Sequence, residues 1–317
     1  MVVGRFAPSP TGPLHLGSAL AALAAWVSAR GAGGRFVYRI EDLDGPRVVA
    51  GAAQEQLETL RWLGLDWDEG PDIGGPHAPY RQSERADIYA QALLTLAQAG
   101  RLFPCRRSRK DLHELASAPH GRSGLPPYPR EWRPTILPPD WLTASDDCAL
   151  RFAVQPGVVT FHDRVMGVQN EDVSQEVGDF VLKRRDGVFA YQLAVVVDDI
   201  EMGINEVVRG ADLLDSTARQ IQLFDALQGD VPAFAHVPLL VTESGEKLSK
   251  RDGAMAIETL SARGARSTEI IGLLAYILGL QPTNLPVSAR DLIQPVDWSA
   301  IRKEHFVILP GLLPDLY

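Results

Sequence analysis

The chain has 317 residues, 45% of them hydrophobic and 22% charged, with a formal net charge of −9. That balance excludes a disordered chain, and the acidic excess excludes indiscriminate attachment to nucleic acid through overall charge. Two cysteines far apart, Cys105 and Cys148, exclude a disulfide framework.

Residues Val2–Ala7 read as a strand, followed by the loop PSPTGP and a helix over Gly17–Arg30. A glycine-rich turn leads to a second strand, Arg35–Ile40, which ends in Glu41, Asp42 and Asp44. Leu57, Leu60 and Leu63 recur at helical spacing within Gly51–Leu63. Strand, helix, strand, helix in this order predicts a parallel sheet with right-handed crossovers. The pattern then changes: a helix over Arg85–Gln98, an arginine-rich and then proline-rich stretch, and strands at Ala149–Val154, Val158–Asp163 and Phe180–Lys183. Composition leaves the basic stretch open, as a solvated surface or a local nucleic-acid face. The apolar, β-branched run Leu193–Val197 reads as a buried parallel strand. Short strands at Val207–Val208 and Val237–Val241 flank a helix over Ser216–Leu227, and the chain after Ala256 reads as helical to its end. The expected organisation is therefore α/β: a catalytic domain in two halves, 1–80 and 186–255, an inserted α/β subdomain, 81–185, and a helical segment, 256–317. The start MVVGRFAPSP lacks the layout of a secretory signal, and Glu269–Leu280 is too short to span a bilayer. A cytoplasmic monomer without membrane association is expected.

Two constellations carry chemistry. In RFAPSPTGPLHLGS, Arg5–Ser18, a strand enters a tight loop and places His15 and Gly17 where a helix begins. Helix N-termini attract phosphate, an imidazole there can donate to it, and glycine permits close approach. An isolated HLG is as readily a packed histidine. In EKLSKRDG, Lys247 and Lys250 stand three residues apart in a glycine-flanked loop after a strand. Paired cations on such a loop suit the departure of pyrophosphate, although they also suit an exposed basic loop.

Taken together these strings identify a resemblance. HLGS and KLSKR resemble the HIGH and KMSKS motifs of class I aminoacyl-tRNA synthetases. RFAPSPTGPLHLG, RIEDLD and VVRGADLLDSTARQ resemble their glutamyl/glutaminyl branch. The resemblance implies a Rossmann-type catalytic domain that joins L-glutamate to ATP. It assigns Arg5, Ala7, Ser9, Glu41, Tyr191 and Arg209 to glutamate, with Arg5 on the side-chain carboxylate and Glu41 on the α-ammonium. It assigns His15, Gly17 and Lys250 to ATP, with His15, Lys247 and Lys250 as the catalytic set. A dicarboxylate independently calls for planar, bidentate arginine partners. RIED points to glutamate over glutamine, and Mg²⁺ is expected to arrive with ATP. Asp198 and Asp199 are left outside the assignment.

The stretch after Lys250 is too short for the helical anticodon-reading domain of full-length glutamyl-tRNA synthetases. The resemblance thus narrows to the short enzymes that glutamylate queuosine in tRNA(Asp), whose partners are glutamate, ATP and that tRNA. A truncated enzyme charging tRNA(Glu) and a non-catalytic tRNA- or adenylate-binding paralogue stay open. Relatives often bind zinc in the insert through a CxC pair, a tyrosine and a later cysteine. Here Cys105 and Tyr128 are present, but Arg107 and Trp132 stand at the other two positions, and His113 and His120 fit no ligand spacing. No zinc site is expected.

Overall fold

The computed structural model describes residues 1–108, 110–112, 126–137, 141–142, 147–246, 248 and 256–308. The first unit is β1 (Val3–Phe6), α1 (Leu16–Gly31) and β2 (Arg35–Tyr38), with β1 and β2 parallel and Val3 opposite Arg35. Next come α2 (Ala52–Trp62), α3 (Ala86–Gln98) and β3 (Leu102–Cys105). The stretch continues with β4 (Ala149–Phe152), β5 (Val159–Asp163), β6 (Gly167–Glu171), α4 (Val173–Glu176) and β7 (Phe180–Lys183). A second β-α-β unit follows α5 (Tyr191–Glu201): β8 (Glu206–Gly210), α6 (Thr217–Ala226) and β9 (Ala233–Val237). The chain closes with β10 (Leu240–Val241), α7 (Ile257–Ala262), α8 (Ser267–Leu278) and β11 (Phe306–Val307).

The two β-α-β units meet between β1 and β8. The Asn205 N–H donates to Val3 O at 3.1 Å, and Asn205 Oδ1 accepts from Val3 N–H at 2.8 Å. β8 and β9 are parallel, and Asp163 at the end of β5 pairs in parallel with Phe234, so β5 and β6 extend this sheet. β3, β4 and β7 form a separate antiparallel sheet. Ligands of open parallel sheets gather beyond the carboxyl ends of strands where the two halves diverge. Here that place lies above β1 and β8, which carry Arg5 and Arg209.

α1 is buried nearly all round, with Leu16, Leu20, Leu23, Trp26 and Val27 sunk into a core shared with α8. A second core joins α3, β4, β7, α5 and α6 through Tyr89, Phe152, Leu182, Val195 and Phe224.

Three local expectations are corrected. Leu193–Val197 is not a strand but the middle of α5. Every residue from Leu193 to Asp199 is buried, so no polar face marks the helical period, and an apolar run of this length reads equally as strand or helix. The expected strand Val237–Val241 breaks after Val237, where Pro238 separates β9 from β10. Beyond Leu278 the described chain forms no further α-helix, only a short 3-10 turn at Ala289–Leu292: Gly279 adopts φ +88° and Pro282, Pro286 and Pro295 follow. Its described part returns instead as β11, parallel to β10.

Candidate active site

A cleft of about 550 Å³ opens above β1 and β8 and is lined by Arg5, Ala7, Ser9, His15, Gly17, Glu41, Tyr191 and Arg209. These are all the sequence-predicted site residues that fall among the described ones; Lys247 and Lys250 lie outside them. The loop of the two lysines nevertheless starts and ends at the cleft. Leu248 lines it and donates its N–H to Leu240 O at 3.0 Å, and the Ile257 N–H donates to Leu14 O at 2.9 Å beside His15.

The local fold explains the convergence. Past β1 and β2 the backbones stay in register, Arg39 N–H donating to Phe6 O at 3.1 Å and Glu41 N–H to Pro8 O at 3.0 Å. The RIED segment is thereby laid against the proline-rich loop, and Glu41 faces the cleft beside Ala7 and Ser9. Gly12 turns that loop at φ +131°, which side chains resist, and Gln56 Nε2 donates to Gly12 O at 2.8 Å.

At one end of the cleft the charges are buried. Arg5 reaches Asp199 Oδ1 at 3.4 Å and Val208 O at 3.5 Å, long contacts that leave most of its guanidinium available. Arg39, fully buried, pairs with Asp199 at 2.9 Å, Glu41 at 3.1 Å and Asp198 at 3.4 Å. Asp198 in turn accepts from Arg85 at 2.7 Å, Gln82 at 2.8 Å and Tyr89 at 3.0 Å. Burial pushes the Glu41 carboxyl above its ordinary value, against the pull of Arg39 and Arg5. Burial likewise depresses Arg209, with Arg5 adding to the effect. Two neighbouring guanidiniums held in a dry pocket favour an anionic ligand. Tyr191, raised by burial, opens α5 next to them.

The other end is made of backbone and apolar wall. His15 is the N-cap of α1, whose first turn carries no acidic side chain, so the helix presents the positive end of its dipole to the cleft. Among the described residues a Cβ at Gly17 would find only His15 Nδ1, at 3.7 Å, an ordinary contact. The described residues around it therefore do not themselves require glycine there. Pro238, Leu239, Leu240 and Leu248 form the facing wall.

Sequence reasoning missed Arg39, Asp199, His236 and Asp163. Arg39 lies inside the RIED string that was singled out, and Asp199 was left out because an aspartate there could equally cap the next element. His236 and Asp163, both fully buried, lack any local signal, since they come together only when β5 pairs with β9.

The family described as tRNA synthetases class I (E and Q), catalytic domain, matches residues 1–301. A glutamyl-Q tRNA(Asp) synthetase of Symbiobacterium thermophilum is 49% identical over 308 residues, covering 96% of this chain and 95% of that one. The chain belongs to the glutamyl-Q tRNA(Asp) synthetase family. A member from Nitratidesulfovibrio vulgaris is 46% identical over 303 residues, 92% of this chain and 91% of its own. Among solved structures, the glutamate-tRNA synthetase of Elizabethkingia anophelis is similar with a TM-score of 0.82 and 29% identity. That match covers 98% of this chain and 68% of the other. Mycobacterium tuberculosis methionyl-tRNA synthetase, at TM-score 0.53 and 13% identity, shares the fold.

Among the described residues the zinc that the resemblance raised finds no fitting ligand set, and His113 and His120 lie outside them. Cys105 Sγ and Tyr128 OH contact each other at 3.2 Å. The Arg107 guanidinium lies 4.8 Å over the Trp132 ring, Trp132 packs edge-on to Tyr128 at 5.4 Å, and Arg151 covers Tyr128 at 4.2 Å. The two residues standing at cysteine positions thus pair with one another as cation and ring. One thiol and one phenol under two guanidiniums do not make a tetrahedral cage.

Proposed function

We propose that this chain uses ATP to convert L-glutamate to glutamyl-adenylate and then transfers the glutamyl group to queuosine in the anticodon loop of tRNA(Asp). The observation that carries the first half is the convergence of Arg5, Arg209 and Glu41 at the buried end of a cleft whose open end holds His15 and the α1 N-terminus. Two cations and one anion match a side-chain carboxylate and an α-ammonium. Arg5 takes the side-chain carboxylate on its available face, Glu41 takes the ammonium, and Ala7, Ser9 and Tyr191 close the pocket. The reacting α-carboxylate then faces the nucleotide end.

There its oxygen attacks the α-phosphorus, the bond to the β-phosphate breaks, and pyrophosphate leaves. No side chain needs to act as base. Catalysis is positioning plus charge stabilisation: the α1 N-terminus and His15 hold phosphate oxygens, and Gly17 lets the nucleotide sit against the helix. Lys250, assisted by Lys247, neutralises the departing pyrophosphate, and Mg²⁺ enters bound to the triphosphate. An acceptor hydroxyl finally attacks the acyl carbon, and AMP leaves. The choice of acceptor rests on the relatives' names and on their matching this chain over nearly their whole length.

Labelled glutamate with ATP, offered to queuosine-containing tRNA(Asp), to tRNA(Asp) lacking queuosine and to tRNA(Glu), tests this reading. Label on the first alone is expected. Label on tRNA(Glu) would overturn the acceptor, and no label on any would overturn the activity.

A further inference from the structure

Arg209, which serves the amino-acid site in the function proposed above, is held by a chain of buried side chains. Its guanidinium is tied down almost completely. Nε donates to His236 Nε2 at 3.0 Å, Nη1 to Gln220 Oε1 at 2.8 Å, and Nη2 to Thr217 Oγ1 at 3.0 Å and Leu213 O at 3.3 Å. Only the His236 contact depends on a proton that could sit elsewhere. An arginine Nε always carries hydrogen, so the imidazole must present a lone pair at Nε2 and carry its proton on Nδ1. Nδ1 lies 2.6 Å from Asp163 Oδ2, which accepts that proton. The other oxygen, Asp163 Oδ1, is engaged by three backbone N–H groups, Met166 at 2.8 Å, Val165 at 3.0 Å and His236 at 3.2 Å.

We propose that Asp163 and His236 form a positioning relay that fixes Arg209 for the amino-acid substrate, Asp163 setting the imidazole tautomer and neutral His236 aligning the guanidinium. The groups facing His236 are Asp163 from β5, Arg209 from β8, Thr217 from α6 with its hydroxyl 3.4 Å from Nε2, and Arg5 from β1 at longer range. The Phe234 ring stacks on the imidazole at 6.2 Å. Burial, aided by Arg209 and Arg5, holds His236 below its ordinary value, and Asp163 is held below its own by hydrogen bonds from His236 and Met166 that outweigh its burial. The relay is thus carboxylate, neutral imidazole, guanidinium. Its first member comes from β5 in the stretch before α5, its last from β8.

The isosteric change Asp163→Asn tests the relay because it keeps the shape of the side chain while reversing which nitrogen of His236 carries the proton. The three backbone donors require the amide oxygen at the Oδ1 position, so the amide NH₂ faces His236 Nδ1. That nitrogen must then accept, its proton moves to Nε2, and two donors confront each other at Arg209 Nε. In glutamate-dependent ATP–pyrophosphate exchange, Asp163→Asn is expected to raise the KM for glutamate by about tenfold with the KM for ATP unchanged. Long-range ¹H–¹⁵N spectra of histidine-labelled protein are expected to show the proton moving from Nδ1 to Nε2. In a His236→Gln background, where the side-chain oxygen stands as acceptor and no tautomer exists, adding Asp163→Asn should change the glutamate KM by less than about twofold. A glutamate KM unchanged by Asp163→Asn, an ATP KM that rises in step, or the same tenfold rise in the His236→Gln background would overturn the relay. Arg209→Lys separates the two levels: if it leaves the glutamate KM unaltered, the assignment of Arg209 to the amino-acid site fails, whereas a raised KM there with no effect of Asp163→Asn removes the relay alone.

Discussion

At the proposed glutamate end of the cleft, Arg5, Arg39, Glu41 and Asp199 sit in a buried mesh of ion pairs, with Arg209 held beside it by neutral side chains. At the proposed nucleotide end the protein offers a helix N-terminus, His15, Gly17 and an apolar wall, and the residues flanking the loop of Lys247 and Lys250 lie beside it. The difference separates two costs. Buried ions must be compensated before any ligand arrives, so the glutamate end is assembled by folding and its geometry is inseparable from stability. Backbone dipoles and glycine cost the fold little, so the nucleotide end can be altered with the fold intact.

The largest expected effect is on the mesh. Arg39→Met leaves Asp199, Asp198 and Glu41 without their shared cation, and urea unfolding should show a loss of about 3–5 kcal/mol. A loss below about 1 kcal/mol would mean that the mesh is not part of the fold's stability. His15→Ala should leave that urea midpoint unmoved while slowing ATP–pyrophosphate exchange roughly 10²-fold, with the glutamate KM unaltered. A matching drop in stability would erase the contrast between the two ends.

Glu41 supplies a pH test. Its carboxyl lies above the ordinary value of 4.5 in the unliganded site, chiefly through burial. A bound ammonium stabilises the carboxylate and lowers that value, so below the free-site value glutamate binding must release a proton. Affinity is therefore expected to weaken as pH falls, by up to about tenfold per pH unit, and the dependence should vanish in Glu41→Gln. Calorimetry in buffers of different ionisation enthalpy reads the proton directly; proton uptake on binding would reverse the assignment. The smallest effect lies away from the cleft. Arg107→Ala removes the cation over Trp132 and should cost about 0.5–1 kcal/mol, while a zinc chelator should leave the melting temperature of the native protein unchanged. Melting lowered by the chelator would restore a metal to the insert.

Much of the cleft was legible because its residues travel in short strings. Arg5, Ala7, Ser9, His15 and Gly17 share one strand–loop–helix turn, and Glu41 lies just past the next strand. Such residues need only local structure and one parallel pairing to converge. Asp199, Asp163 and His236 are different. Asp199 reaches Arg5 across 194 positions and Asp163 reaches His236 across 73, so their meaning depends on which strands become neighbours. α5 failed for a related reason: buried from Leu193 to Asp199, it shows no polar face to betray its period, and two aspartates inside it are neutralised by arginines from β1, from the RIED segment and from the start of α3.

The most direct test is ATP–pyrophosphate exchange without tRNA, with glutamate, glutamine and aspartate offered separately. Exchange with glutamate alone is the expected result, since in the proposed assignment Arg5 and Arg209 select a side-chain carboxylate and the pocket fixes its reach. Exchange with glutamine at a comparable rate, or none with glutamate, would contradict it.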